Sequence, residues 1–285
     1  MPGDRLHLQQ GPIDLIIDID APGDEQRTAE SRAEAAFDGL LAALASELKV
    51  LRQPVEADRE PAGEVASRMH AIALRLSHYT DYLTPMATVA GAVADHVLAA
   101  TVSGGKDIRR ASVNNGGDIA IWLASGEEYR VGLVADIATG ARAGEVRIQA
   151  NMPTRGIATS GWPGRSLCRG IADAVTVLAA DAAIADGAAT LIAGAVNIDA
   201  AGTVERAPAD TLDLDSDLRS LEVTVAVGKL TDDQRRKALA SGRRLADAML
   251  VDGMIDAAWL HLQGESVVVP LGAALTNWHD RSTKS

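Results

Sequence analysis

Segments of the chain carry the kinds of side chain that bind phosphate, metal or a polar ring. Asn114-Asn115-Gly116-Gly117-Asp118 sets paired glycines among side-chain amides and a carboxylate. Paired glycines admit positive φ and let a ligand touch the backbone, so this segment reads as a phosphate or ring cradle; Asn-Gly is equally the signal of a plain hairpin turn. Gly156-Ile157-Ala158-Thr159-Ser160-Gly161-Trp162 reads as a strand ending in hydroxyls and a glycine, suited to an anion or carbonyl or to an ordinary turn. Ser160 has neither the Gly-x-Ser-x-Gly spacing nor an adjacent histidine, which argues against a serine hydrolase. In Ala185-Asp186-Gly187-Ala188-Ala189-Thr190, helical spacing puts Asp186 and Thr190 one turn apart on one face. Two hard oxygens there suit Mg²⁺, with water, carbonyls and substrate phosphate completing its shell. The alternative is a solvated aspartate and a threonine bonded back to a carbonyl.

Other chemistry is poorly supplied. His7, His70, His78, His96, His261 and His279 lack the spacing of a zinc site, and the single Cys168 rules out a thiolate cluster or an internal disulfide. His96, next to Asp95, reads as a satisfied surface or core histidine. A reducing compartment fits this cysteine usage.

The elements that must position these segments follow from periodicity. Ile13, Leu15, Ile17 and Ile19 alternate with Asp14, Asp18 and Asp20, as in a half-buried strand. Ala33, Phe37, Leu40, Leu44 and Leu48 then predict one long helix with a single apolar stripe. A second helix is expected over 65–76. The small residues Ala87, Ala90, Gly91, Ala92 and Ala94 predict a buried helix over 85–100 that approaches another backbone closely. Strands are expected over 111–114, 118–123, 129–135, 145–150, 174–178, 221–227, 259–262 and 267–269, and a helix over 181–196. Thr231 with Gln234 forms a capping-box signature that opens a helix ending before Gly253. Adjacent strands point to an antiparallel α+β fold, read as one domain over 1–285, with a strand, strand, helix rhythm that hints at a duplicated unit.

With 47% hydrophobic residues the chain is globular, with disorder expected only at its two ends. A formal net charge of −12 and 3% aromatic residues argue against nucleic acid as a partner. The basic clusters Arg109-Arg110 and Arg235-Arg236-Lys237 are isolated. Met1 to Gln10 lacks the apolar run of a signal peptide, and no uncharged stretch is long enough to span a bilayer. A cytoplasmic protein without a membrane partner is the expectation.

In their order along the chain, these segments resemble the ApbE-like superfamily, whose best-known members are the FAD:protein FMN transferases. The resemblance runs from Thr84 to Val196 and rests on Ala87 to Asp95, Gly116-Gly117-Asp118, Ala158 to Gly161, Val175 to Val177, and Ala185 to Thr190 with Gly187 in place of the usual alanine. It implies an α+β, T-fold-like architecture with antiparallel sheets and packed helices. It also implies a Mg²⁺ site built from Asp186 and Thr190 with a backbone carbonyl of the Ala87 to Ala90 segment. Asn115, Gly116, Gly117, Asp118, Thr159, Ser160 and Gly161 would then line a pocket for a flavin, pterin or related compound.

This sequence departs from the transferase pattern in places that bear on chemistry. The His-Ile-x-Asp-Pro-x-Thr-Gly segment is replaced by Pro163 to Ala172, which carries Arg165, Ser166, Cys168 and Arg169. Ala90 stands where the family usually has a charged residue. The run Thr84-Pro85-Met86-Ala87 through Asp95 looks more like a cytosolic branch of the superfamily. The resemblance therefore implies Mg²⁺-dependent binding or processing of a small-molecule cofactor. The alternatives are a step in making a pterin-type one-carbon carrier, or a binding protein without turnover. Ordinary protein flavinylation is not expected.

Overall fold

The structure, a computed structural model, describes residues 5–136, 141–199 and 202–269. The expectation of disorder at the chain ends falls on 1–4 and 270–285, outside the described residues. In chain order the elements are β1 (Leu6–Gln10), β2 (Ile13–Asp20), α1 (Gly23–Phe37), α2 (Leu40–Ser46), α3 (Leu48–Leu51), α4 (Glu64–Leu76) and α5 (Val89–Val102). Then come β3 (Arg110–Asn115), β4 (Asp118–Leu123), β5 (Glu128–Asp136), β6 (Ala141–Gln149), β7 (Gly156–Ser160), β8 (Ala174–Ala179) and α6 (Ala182–Ala195). The chain continues through β9 (Val204–Pro208), α7 (Ala209–Leu212), β10 (Glu222–Val227), α8 (Asp232–Val251), β11 (Ala257–Leu262) and β12 (Glu265–Val269). This is an α+β fold of antiparallel strands and packed helices.

Backbone contacts divide the chain into two compact units, neither of them a contiguous stretch. The first comprises Met1–Tyr129, Arg147–Ala158 and Ala179–Gly187; the second comprises Arg130–Val146, Thr159–Leu178 and Ala188–Ser285. Because the chain passes between the units more than once, no linker marks a boundary in the sequence.

In the first unit, β1, β2, β3 and β4 pair in order, all antiparallel, and β4 continues to β7 through Ile119 opposite Ile157. Alternation along β2 sends Ile13, Leu15, Ile17 and Ile19 into the core. The strand β1 was not anticipated; Gly11, at φ 56°, turns the chain back so that Gln10 faces Ile13. The long helix expected through Leu48 is broken instead. Gly39 adopts φ 73°, a left-handed conformation that ends α1 and re-aims the chain into α2 and α3. α1 and α5 pack together, and α5 also lies against β3 and β4.

Pro85–Val102 has the length and composition of a membrane-crossing segment, and half of it is buried. Its apolar character serves the core. Ala92, Val93, Ala94 and Val97 are fully buried, and the segment carries the charged Asp95.

In the second unit β8, β11 and β12 pair antiparallel, with Ala258 between Val177 and Val269. α8 packs on β11 and β12, and its Gly242 leaves room for Val196 and Leu260. The expected capping box is present: Gln234 N–H donates to Thr231 Oγ1 at 3.3 Å and Thr231 N–H donates to Gln234 Oε1 at 2.8 Å. β9 and β10 form a separate ribbon with a bulge near Thr224 and Ala226. Neither β9 nor α7 was expected from the sequence.

Candidate functional site

The N-termini of α5 and α6 organise the candidate residues of the first unit. A helix start leaves amide donors without partners. Thr88, ahead of α5, does not cap it, because its hydroxyl donates to the carbonyl of Pro85 at 2.9 Å and faces that of Met69 at 3.4 Å. Asp186, from α6, fills that role: Gly91 N–H donates to its Oδ2 at 3.0 Å. The exchange is mutual. Asp95, on α5, accepts from the amides of Ala182 and Ala183, each at 3.0 Å, and Asp181 accepts from Ile184 N–H at 2.8 Å, so the first turn of α6 is also satisfied.

Small residues make the crossing close enough for these bonds. A Cβ at Gly91 would overlap the Ala182 carbonyl and stand 2.6 Å from the nitrogen of Ala183. At Gly187 an added Cβ would meet side chains instead, the tip of Leu76 and Thr88 Cγ2 at 2.9 Å. Gly187→Ala, which restores the residue usual in the superfamily, should therefore shift stability by less than about 1 kcal/mol, since the helix-propensity gain offsets a small repacking of Leu76. A denaturant midpoint measures this, and a large drop would mean that Leu76 cannot move aside.

The electrostatics mark the same pair of carboxylates. Burial, reinforced by the charge of Asp181 and opposed by the Ala182 and Ala183 amides and by Arg68, pushes the Asp95 carboxyl up to about 6. Asp186 keeps part of its surface exposed, yet dense surroundings push its carboxyl up to about 7. The Gly91 and Ala90 amides oppose that rise and the charge of Asp95 adds to it. Arg68, on α4, bridges Asp95 at 3.3 Å and Asp181 at 3.1 Å.

Asn115 joins Asp186 at the start of α5. Its Nδ2 donates to the Ala90 carbonyl at 3.1 Å, and its Oδ1 accepts from Asp14 N–H at 3.4 Å. Both ends of the amide are thus held inside the protein. Gly116 and Gly117, at φ 66° and 121°, form the two-residue turn that joins β3 to β4, with Asn115 opposite Asp118. Gly117 N–H donates to Asn114 Oδ1 at 2.8 Å.

Thr190 stands one turn beyond Asp186 on α6, half-buried. Among the described residues its hydroxyl has no hydrogen-bond partner, so it is not bonded back to a carbonyl.

In the second unit, Thr159 Oγ1 and Thr176 Oγ1 are 2.9 Å apart, and Ser160 is half-buried. Gly161 is required by its neighbour, since a Cβ there would lie 2.5 Å from the Asp173 carbonyl oxygen. Asp173 also accepts from Gln263 N–H at 2.5 Å and Trp162 Nε1 at 3.4 Å, and so fixes the turn after β7. Asp173 and the bonding role of Asp95 escaped the sequence reading. Their partners lie far along the chain, and no local spacing announces them.

The profile of the AbpE bacteria family matches residues 1–268. The chain belongs to that family. It falls within the ApbE-like superfamily, and similar solved structures agree on the fold. The apo flavinyl transferase ApbE of Pseudomonas stutzeri aligns with a TM-score of 0.54 at 13% identity, covering 93% of each chain. The ApbE protein of Thermotoga maritima aligns with a TM-score of 0.55 at 13% identity, covering 97% of this chain and 100% of that one. Among curated relatives of this AbpE bacteria chain, the UPF0280 protein of Methanothrix thermoacetophila is 39% identical over 135 residues, 45% of this chain and 54% of that protein. The UPF0280 protein of Methanobrevibacter smithii is 35% identical over 142 residues, 50% of this chain and 56% of that protein. The chain thus spans about half the length of the curated relatives it matches.

Proposed function

We propose that the chain binds a phosphate-bearing flavin, or a related ring compound such as a pterin, together with Mg²⁺ at the N-terminus of α5. One observation carries this reading: Asp186 is held by the Gly91 amide at a helix start, in surroundings that push its carboxyl up to about 7. A carboxylate so placed is stabilised by a cation, and a helix N-terminus favours the anionic phosphate that a cation brings.

The oxygens nearby fit Mg²⁺. Asp186 supplies the charge, and Thr190 supplies a hydroxyl with no partner among the described residues. The Ala87 carbonyl oxygen lies 3.8 Å from the place a Cβ would take at Gly187, the residue that follows Asp186. Carboxylate, hydroxyl and carbonyl are the hard donors this ion takes. Among the described residues no group of three or more acidic, histidine or cysteine side chains could hold a metal. With few protein charges around it, the cation is held more tightly when substrate phosphate completes its shell. The bound ion would neutralise phosphate charge and orient the reacting group. Asn115 fixes the start of α5 through the Ala90 carbonyl, and the Gly116-Gly117-Asp118 turn follows it directly. Thr159, Ser160 and Gly161 are assigned to polar oxygens of the ligand by the family resemblance alone.

Fold likeness to flavin transferases makes a flavin the first ligand to try. Covalent FMN transfer is not part of the proposal, because Pro163 to Ala172 lacks the His and Asp-Pro of the transferases. Cys168 does not replace them as a nucleophile, since burial pushes its thiol up to about 11.

Calorimetry with Mg²⁺ and FAD tests the reading. Asp186→Ala should weaken binding ~10–100-fold while the protein stays folded, and equal affinity in parent and variant would overturn the assignment. A pterin that displaces FAD would redirect the ring assignment. Mass analysis of a flavinylation-motif acceptor incubated in the same mixture should find no covalent FMN.

A further inference from the structure

We infer that Asp95 is the positioning residue of the Asp186 centre, a role that rests on the reading above only for what the centre holds. The two carboxylates have exchanged helices: Asp186 of α6 receives the Gly91 amide of α5, and Asp95 of α5 receives the Ala182 and Ala183 amides of α6. Each bond requires the other. Asp186 stands one helical turn beyond Ala182, so the place of its carboxylate is set by where the first turn of α6 is anchored, and Asp95 is that anchor.

Gly91 makes the arrangement tight, because its missing side chain lets the backbone of Ala182 and Ala183 come within reach of Asp95. Arg68 extends the clasp to α4. Its guanidinium touches both Asp95 and Asp181, so both carboxylates that hold the start of α6 are held in turn by one partly exposed arginine. A ligand at Asp186 and the docking of α6 on α5 are therefore linked: whatever loosens Asp95 also displaces the oxygen that would meet the cation, although Asp95 itself does not touch it.

The test uses the full chain with Mn²⁺ alone as the probe, bound ion being read by electron paramagnetic resonance. Hydrogen exchange at the Gly91 amide, measured without metal, gives a second readout. Asp95→Ala should raise the Mn²⁺ dissociation constant by about tenfold or more and quicken Gly91 exchange to a similar degree. Asp95→Asn keeps one acceptor oxygen and should shift both by about threefold. Leu239→Ala, in the core of the second unit, is the control for a merely structural loss; it should lower the melting temperature and leave both readouts at parent values.

Parent-like values of both readouts in folded Asp95→Ala overturn the inference, as does a Leu239→Ala control that shifts as much. If Asp95→Ala does not fold, unchanged values in Asp95→Asn overturn it equally. Should Asp186→Ala bind Mn²⁺ as the parent does, the metal reading fails, and Gly91 exchange alone then decides the role of Asp95.

Discussion

Gly91→Ala is expected to lower the stability of the protein by about 4 kcal/mol, a large part of the ~5–15 kcal/mol that holds a typical domain folded. Two effects oppose each other. Alanine in place of glycine within a helix is favourable by roughly 1 kcal/mol. The new methyl, however, would overlap the Ala182 carbonyl and press on the nitrogen of Ala183, and these atoms are backbone, with no rotamer to change. Overpacking of this sort costs about 1–3 kcal/mol or more when nothing can give way. Relief requires α5 and α6 to part, and parting lengthens the bonds from Gly91 to Asp186 and from Ala182 and Ala183 to Asp95. Hydrogen bonds to ionised groups contribute about 1.5–3 kcal/mol each, so stretching them outweighs the helix-propensity gain. The melting temperature should fall by roughly 10 °C, read by thermal unfolding with a denaturant midpoint as a cross-check. A variant as stable as the parent would mean that the two helices are not in contact at Gly91. The contrast with Gly187→Ala is informative, since Gly91 faces the backbone of α6 whereas Gly187 faces the side chains of Leu76 and Thr88.

The small residues around Gly91 were readable as a surface for close backbone approach, but not the identity of the partner. Period-two alternation exposed β2 because it buries one face, and the capping box of α8 was legible because Thr231 and Gln234 are local to each other. Asp186 and Thr190 were readable as neighbours on a helix for the same reason. Asp95 meets Ala182 across 87 positions of sequence, so no window of spacing contains both. The break at Gly39 was missed because apolar spacing persists across it; the stripe continues into α2 although the backbone turns. β1 was hidden by its short length and by the polar residues that an edge strand shows to water. The Gly116-Gly117 turn shows the limit from the other side. Its positive φ values satisfy the hairpin outright, so the glycines alone do not argue for a ligand there.

The ligand-free protein should be most stable near pH 4 and lose on the order of 4 kcal/mol between pH 5 and pH 8, with Mg²⁺ and FAD restoring much of that loss at pH 8 and little at pH 5. The sign follows from the carboxyls of Asp95 and Asp186, which burial holds at about 6 and about 7, above the value of 3.8 they take when unfolded. Between those values the folded protein carries more protons than the unfolded one. Stability from these groups is therefore full below 3.8 and is lost as the pH rises through 6 and 7. At the acid end Asp20 works in the opposite sense. Burial raises its carboxyl, but bonds from Arg109 and Arg110 prevail and hold it below the usual range, which places the optimum between the two regimes. Each unit of displacement corresponds to about 1.4 kcal/mol, and because Asp95 raises Asp186 through its charge, the two contributions do not simply add. Asp186→Asn separates the stability effect from the function. Its amide oxygen can still accept from Gly91, while the charge that is costly at pH 8 is gone, so the variant should be more stable than the parent there and show only the gentler slope left by Asp95. It should also lose its response to Mg²⁺. Urea midpoints across the pH range, with and without Mg²⁺ and FAD, measure both effects. A parent whose midpoint is flat from pH 5 to pH 8 would show that these carboxyls do not resist ionisation, and a variant that still responds to Mg²⁺ would place the cation elsewhere. The expected trade, stability gained as the charge is lost, is what a site kept ionised for a cation must show, because a carboxylate serving only to cap a helix would do so equally well as an amide.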